Sequence, residues 1–203
     1  MNPAHLLKPS MESLLEKIRP VLVVVQNGRR GSGAGFLAGE RLVLTSQHVV
    51  AGKRQIKVVL DDDTIYDAAV LLREPERDLA MLEIPTSGHA VAVISDREPK
   101  PGEMVFAFGH PWGQRAVLTG GVLSAVIKAH THNGEFPLLR TDARLAPGNS
   151  GGPLFDAAGE VIGLNAMIFG GDQNMAIPAS IIRSFLEKAP QRTPSRGVPE
   201  DVI

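Results

Sequence analysis

The sequence predicts an all-β fold of two six-stranded antiparallel barrels, with a short helix at each end, and three observations support it. First, residues 21–25, 34–38, 41–45, 55–60, 65–72 and 79–84 are short apolar or alternating runs parted by Gly, Asp and Pro, which is how strands read. Second, a further set of six follows at 104–108, 117–128, 138–141, 153–155, 161–168 and 174–177. Third, Pro99-Lys100-Pro101-Gly102 punctuates the chain between the two sets. The expected organisation is an arm at 1–20, a first barrel at 21–98, a second barrel at 99–178, a helix at 179–189 and a tail at 190–203.

The flanking elements have their own signals. Met11, Leu14, Leu15 and Ile18 follow helical spacing after Ser10, so a short amphipathic helix should dock on the body. Pro178 opens a second amphipathic run through Lys188, a suitable first-turn residue. From Pro190 the chain is proline-rich and polar, and a disordered tail is expected. It ends Glu200-Asp201-Val202-Ile203; a frayed terminus is the expectation, and use as an added strand in a PDZ groove the minor reading.

Composition bounds the partners. The chain has 203 residues, 43% hydrophobic and 21% charged, as in ordinary globular proteins. A net charge of −1 argues against nucleic acid or an anionic membrane surface as the main partner. With no cysteine there is neither a disulfide framework nor a zinc-thiolate site, and no metal or cofactor is expected. No apolar run is long enough to span a membrane. Residues 1–20 lack a secretory h-region, so the expected location is cytoplasmic unless a leader was removed from a periplasmic or extracytoplasmic protein.

The most informative segment is Thr141-Asp142-Ala143-Arg144-Leu145-Ala146-Pro147-Gly148-Asn149-Ser150-Gly151-Gly152-Pro153-Leu154. It sets one serine among glycines, where the backbone can turn sharply and several N–H groups can point into one cavity. Nucleophilic acyl transfer needs an exposed hydroxyl beside amide donors aimed at a developing oxyanion. The string also fits the Gly-x-Ser-x-Gly elbow of α/β-hydrolases, but those place the histidine after the serine. Here all six histidines precede Ser150, so the order must be His, Asp, Ser, as in chymotrypsin-like double barrels.

Among those histidines His48 has the best setting. Leu42-Val43-Leu44-Thr45-Ser46-Gln47-His48 is an apolar strand entering a polar break, with Ser46 as a cap and Gly52 as a stop. His130 and His132 would face one side of a strand, yet no further ligand completes a metal site there. His110 lies in the turn-rich Gly109-His110-Pro111-Trp112-Gly113 and reads as structural, while His5 and His89 lack context. For the orienting acid, Asp61, Asp62 and Asp63 look like a solvated hairpin tip. Asp78, at the mouth of the apolar run Leu79-Ala80-Met81-Leu82, could be buried against an imidazole, or lie at the surface paired with Arg77.

Four motifs in this order resemble the HtrA-type serine proteases: Gly31-Ser32-Gly33-Ala34-Gly35-Phe36-Leu37, Leu44-Thr45-Ser46-Gln47-His48-Val49-Val50, Arg77-Asp78-Leu79-Ala80-Met81-Leu82 and Gly148-Asn149-Ser150-Gly151-Gly152-Pro153-Leu154. Phe108-Gly109-His110-Pro111-Trp112-Gly113 is similar to that family's Gly-Asn-Pro-Phe-Gly loop, and Leu118–Ala125 and Ala176-Ile177-Pro178 also match; the likeness spans about residues 20–188. The resemblance implies a chymotrypsin-like double barrel, His48 as base, Asp78 as its orienter and Ser150 as nucleophile. It also implies an oxyanion hole at Gly148, Asn149 and Ser150, and a serine endopeptidase acting on unfolded or damaged polypeptides in protein quality control. The alternatives are a binding or chaperone-like module with a collapsed oxyanion hole, and an esterase using the same triad.

Departures from the family qualify this. No PDZ domain is expected after residue 189, Gln26–Arg30 is short where relatives carry a long regulatory loop, and a homotrimer finds no support in the N-terminus. Asn149 stands where trypsin-like zymogens carry Asp, so activation by amino-terminal cleavage is not expected. Arg144 lies at the base of the expected specificity pocket. A buried guanidinium there would favour an acidic side chain at the cleaved position. The favoured expectation is that Arg144 points outward, leaving Leu145, Ala166, Met167 and Ile168 as lining, because burying an unpaired charge costs several kcal/mol.

Overall fold

The computed structural model describes residues 4–28, 31–52, 56–132, 134–166 and 174–190. The first strand set forms β1 (Leu22–Asn27), β2 (Gly31–Leu37), β3 (Leu42–Ser46), β4 (Ile56–Val59), β5 (Ile65–Glu74) and β6 (Leu79–Glu83). The second forms β7 (Met104–Gly109), β8 (Val117–Thr131), β9 (Gly134–Thr141), β10 (Pro153–Asp156), β11 (Val161–Ala166) and β12 (Asn174–Pro178). Each set closes on itself, in the order β1-β2-β3-β6-β5-β4 and β10-β11-β12-β9-β8-β7, with every neighbouring pair antiparallel. Closure leaves no free sheet edge. The expected pair of six-stranded barrels is therefore what the chain builds.

The core has three parts, and their placement explains where a site can form. Val23, Val25, Leu37, Val43, Val58 and Leu82 fill the first barrel; Val105, Ala107, Leu139, Leu154 and Ile162 fill the second. The largest cluster lies between them, joining Phe36, Leu44 and Met81 to Phe106, Phe108 and Phe155. The outer faces of β2, β3 and β7 are thus apolar too, and burying them fixes the barrels against each other. The connecting segment adds backbone bonds to both bodies: Ala92 N–H donates to Leu37 O at 2.8 Å and Val161 N–H to Val93 O at 2.8 Å.

Both helices brace this arrangement. α1 (Ala4–Ile18) buries Leu14 and Ile18 against the β10–β11 turn, where Lys17 Nζ donates to Ala158 O at 2.7 Å. It begins before the expected Ser10 and runs through Pro9, giving up one bond of its ladder. α2 (Ala179–Leu186) buries Ile181, Ile182 and Phe185. No helix among the described residues is long and apolar enough to cross a membrane.

One strand boundary and one turn differ from expectation for identifiable reasons. β9 starts at Gly134, not 138, and crosses Pro137. β12 covers only Leu139–Thr141, so Pro137 sits where β9 has one neighbour, and a missing N–H is tolerated there. Asp61, Asp62 and Asp63 do form a turn, with Asp62 Oδ1 accepting Thr64 N–H at 3.0 Å, but the flanking acids are tethers. Asp61 pairs with Arg19 at 3.0 Å and Asp63 pairs with Arg115.

Candidate active site

Asp78 is buried, 2% exposed, at the point where β6 begins. It ends the single 3-10 turn Pro75–Arg77 in a left-handed conformation, φ 53°, which Asp adopts more readily than most residues. That twist turns the carboxylate toward the residues after β3. Its Oδ1 accepts His48 N–H at 2.9 Å, its Oδ2 lies 2.8 Å from His48 Nδ1, and its carbonyl accepts Gln47 N–H at 3.0 Å. The same acid thus fixes both backbone and ring of His48, whose side chain is 37% exposed. Of the two settings open for Asp78 in the sequence, the structure displays the buried one; Arg77 pairs with Glu74 at 2.9 Å instead.

Ser150 reaches this place because glycines let its loop press against both barrels. Its carbonyl accepts Ala34 N–H of β2 at 3.0 Å. Gly151 has φ 85°, and a Cβ there would meet Ala34 O and Thr45 Oγ1 at 2.4 Å; one on Gly152 would meet Phe108 O at 2.2 Å. Behind the loop, Gly151 N–H donates to Asn165 O at 2.9 Å and Asn165 N–H returns to Gly152 O at 2.8 Å. His48, Ser150 and Gly148 line one open cavity of about 360 Å³ with Asn27, Ser32 and Val49. No hydrogen bond joins His48 to Ser150 among the described residues, as is common before substrate arrives.

The amides beside Ser150 are arranged by bonds on the far side of their peptides. Trp112 N–H donates to Pro147 O at 2.8 Å, which turns the trans-related Gly148 N–H the opposite way. His110 N–H donates to Gly148 O at 3.2 Å, while Asn149 N–H donates to Ala146 O at 2.9 Å. Neither Gly148 nor Ser150 N–H donates to a backbone carbonyl among the described residues. Gly148 takes φ 107°, and a Cβ would lie 2.2 Å from His110 O.

The residues expected around a specificity pocket divide. Leu145 and Ala166 are buried; the Arg144 side chain is exposed, its carbonyl accepting the Thr119 hydroxyl at 2.8 Å. Met167 and Ile168 lie outside the described residues, as does the tail from 191 that carries the PDZ-ligand reading. His130 pairs with Glu135 at 3.1 Å, and no group of three His, Cys, Asp or Glu among the described residues could hold a metal ion. Sequence reasoning missed Asn27, Ser32 and Val49 as cavity lining, and missed the Trp112 amide beneath Pro147. The signal for the second was the Gly-His-Pro-Trp-Gly string, read only as a structural turn.

Two closed β-barrels holding a buried Asp hydrogen-bonded to a solvent-accessible His, in one cavity with a serine of a glycine-rich loop, define the class of a double-barrel serine hydrolase. The model of the trypsin-like peptidase domain matches residues 33–164, and the chain belongs to that family. It is 36% identical over 171 residues to a probable periplasmic serine endoprotease, DegP-like, of Marinomonas sp. (strain MWYL1), covering 80% of this chain and 36% of the relative. It is 32% identical over 196 residues to serine protease HTRA1 of Xenopus laevis, covering 88% and 43%. The serine endoprotease from Yersinia pestis superposes with a TM-score of 0.78 at 30% identity, over 87% of this chain and 65% of that one. The chain therefore spans the protease-like portion, less than half the length of these curated relatives.

Proposed function

We propose that the chain is a serine endopeptidase that hydrolyses peptide bonds of unfolded or damaged polypeptides. The observation carrying this reading is the doubly anchored Asp78–His48 pair facing the cavity that Ser150 also lines. Asp78 holds His48 with its proton on Nδ1, leaving Nε2 as acceptor. His48 takes the Ser150 proton as the oxygen attacks a peptide carbonyl, and the Gly148 and Ser150 N–H groups receive the oxyanion. His48 then returns the proton to the leaving amine. Water, deprotonated by the same ring, attacks the acyl-enzyme, releasing the acid and restoring the Ser150 hydroxyl. Nothing in this sequence of steps calls for a metal or cofactor.

A polypeptide in extended form suits an open, shallow crevice between two rigid bodies better than a folded domain does. The relatives from Marinomonas and Yersinia pestis are described as serine endoproteases, in keeping with a polypeptide substrate. With Arg144 exposed and Leu145 and Ala166 buried, we take the pocket to be apolar, which would favour small aliphatic side chains at the cleaved position.

Both points are tested by digesting denatured casein and mapping the cut sites by mass spectrometry, beside a short-chain ester. Cleavage of casein after small aliphatic residues is expected, with the preference unchanged in Arg144→Ala. Ester hydrolysis without peptide-bond cleavage would instead identify an esterase. A preference for acidic residues that disappears in Arg144→Ala would place the guanidinium in the pocket.

A further inference from the structure

His110 is buried beneath the serine loop, 4% exposed, and the reaction above gives its ring no part. Its backbone touches the loop directly, through the bond to Gly148 O at 3.2 Å, and its own carbonyl accepts Gly113 N–H at 3.1 Å. The ring faces the other way along the chain. Nδ1 accepts Ala116 N–H at 3.2 Å, so the imidazole is neutral and carries its proton on Nε2, which is buried beside the Val23 carbonyl without reaching full hydrogen-bond geometry. That contact closes a loop containing two non-glycine residues in the left-handed region, Trp112 at φ 55° and Ala116 at φ 55°. Between His110 and Ala116, the Trp112 amide holds the Pro147 carbonyl.

We propose that His110 is a positioning residue for the oxyanion loop: its neutral ring, as acceptor for Ala116 N–H, closes the 110–116 loop in the shape that keeps the Pro147 carbonyl turned away from Ser150, and protonation of that ring releases the loop. This rests on the reading of Ser150 as nucleophile and adds a proton-sensitive support beneath it. A protonated imidazole carries N–H on both nitrogens, so Nδ1–H would face Ala116 N–H, donor against donor. Among the described residues, neither carboxylate that borders the ring is unpaired. A cavity of about 190 Å³ beside the ring is bordered by Arg19, Asp61, Asp63 and Arg115, but the acids are already paired with Arg19 and Arg115.

Burial, opposed by the Val23 carbonyl and by Asp61 and aided by Arg115, lowers the His110 pKa from 6.5 to about 4. The closed loop thus binds a proton roughly 300-fold more weakly than an open one. The sign follows: the closed form keeps its full advantage above the ordinary pKa of 6.5, loses it as pH falls toward 4, and is most disfavoured below that.

Trp112 is the only tryptophan and is 75% exposed, so its fluorescence reports this loop alone. In Ser150→Ala protein, which cannot cleave itself and reads the loop whether or not the chain is a peptidase, emission and acrylamide quenching are followed from about pH 7.5 to about pH 4 beside far-UV circular dichroism. The expected result is a Trp112 transition within that window while the strand signal holds. His110→Asn, whose Oδ1 accepts in place of Nδ1 but does not titrate, should be flat. With Ser150 restored, His110→Asn should hydrolyse casein at a rate close to that of the unchanged chain. His110→Leu should lose about 10²-fold in kcat with KM little altered, and show the released Trp112 signal already at neutral pH. A flat profile in the unchanged loop, a His110→Asn titration matching it, a Trp112 transition that only accompanies loss of strand signal, or a His110→Leu protein with ordinary turnover would each overturn the proposal. The His110→Asn comparison decides it even if His110→Leu fails to fold.

Discussion

Replacing Ser150 by alanine is expected to lower kcat on casein by about 10⁶-fold while leaving stability within about 1 kcal/mol. Every bond that seats the loop uses backbone atoms, Ser150 O to Ala34 N–H and Gly151 N–H to Asn165 O, and alanine retains all of them. The hydroxyl itself is bound to nothing in the described structure, so its removal leaves no orphaned partner. What disappears, on the proposed mechanism, is the atom that forms the acyl bond. The remaining amides and crevice should still bind substrate, so KM is expected to move little. A residual rate of about 10³–10⁴ over the uncatalysed reaction is consistent with those parts alone. Assays by peptide release and thermal unfolding check both halves. Loss of activity accompanied by unfolding would mean the serine was structural.

Changing Asp78 to asparagine is the second large effect, about 10⁴-fold in kcat. The geometry dictates the reason. His48 N–H already donates to Oδ1 at 2.9 Å, so an asparagine would keep its oxygen there and present its NH₂ to His48 Nδ1. A donor at that position forces the ring proton onto Nε2, where it faces the serine and cannot accept. The protein should remain folded, because Asp78 O still accepts Gln47 N–H at 3.0 Å and the left-handed φ of 53° suits asparagine equally. Kinetics beside thermal unfolding separate this from simple destabilisation. A variant that kept ordinary turnover would show that the carboxylate does not set the tautomer.

The barrels were legible in the sequence because closed antiparallel strands alternate, and because each run is bounded by residues that turn the chain. That His48 and Ser150 could share one cavity was suggested by chain order and the glycines around the serine; those glycines have a local cause, the near-contact of Gly151 and Gly152 with Ala34, Thr45 and Phe108. Less could be read where backbone atoms alone act. Nothing in the identity of Trp112 announces that its amide holds Pro147 O, or that Asp78 takes a positive φ. The extent of the β8–β9 hairpin was hidden by the polar residues near its tip, where pairing continues to Thr131 and Gly134 without an apolar pattern. The acidic turn at 61–63 is solvated as it reads, with Asp62 and Asp63 exposed; what its sequence did not announce is that Asp61 and Asp63 pair with Arg19 and Arg115.

The central claim is that His48 activates Ser150 within reach of its amides, and covalent labelling by a fluorophosphonate tests it most directly. Such a probe reacts only with an activated hydroxyl and leaves a mass-tagged adduct at the attacking atom. The account predicts one adduct per chain, mapped to the peptide containing Ser150, with a labelling rate that collapses in His48→Ala. An unlabelled chain, an adduct on another residue, or labelling of Ser150 at the same rate without the imidazole would contradict it.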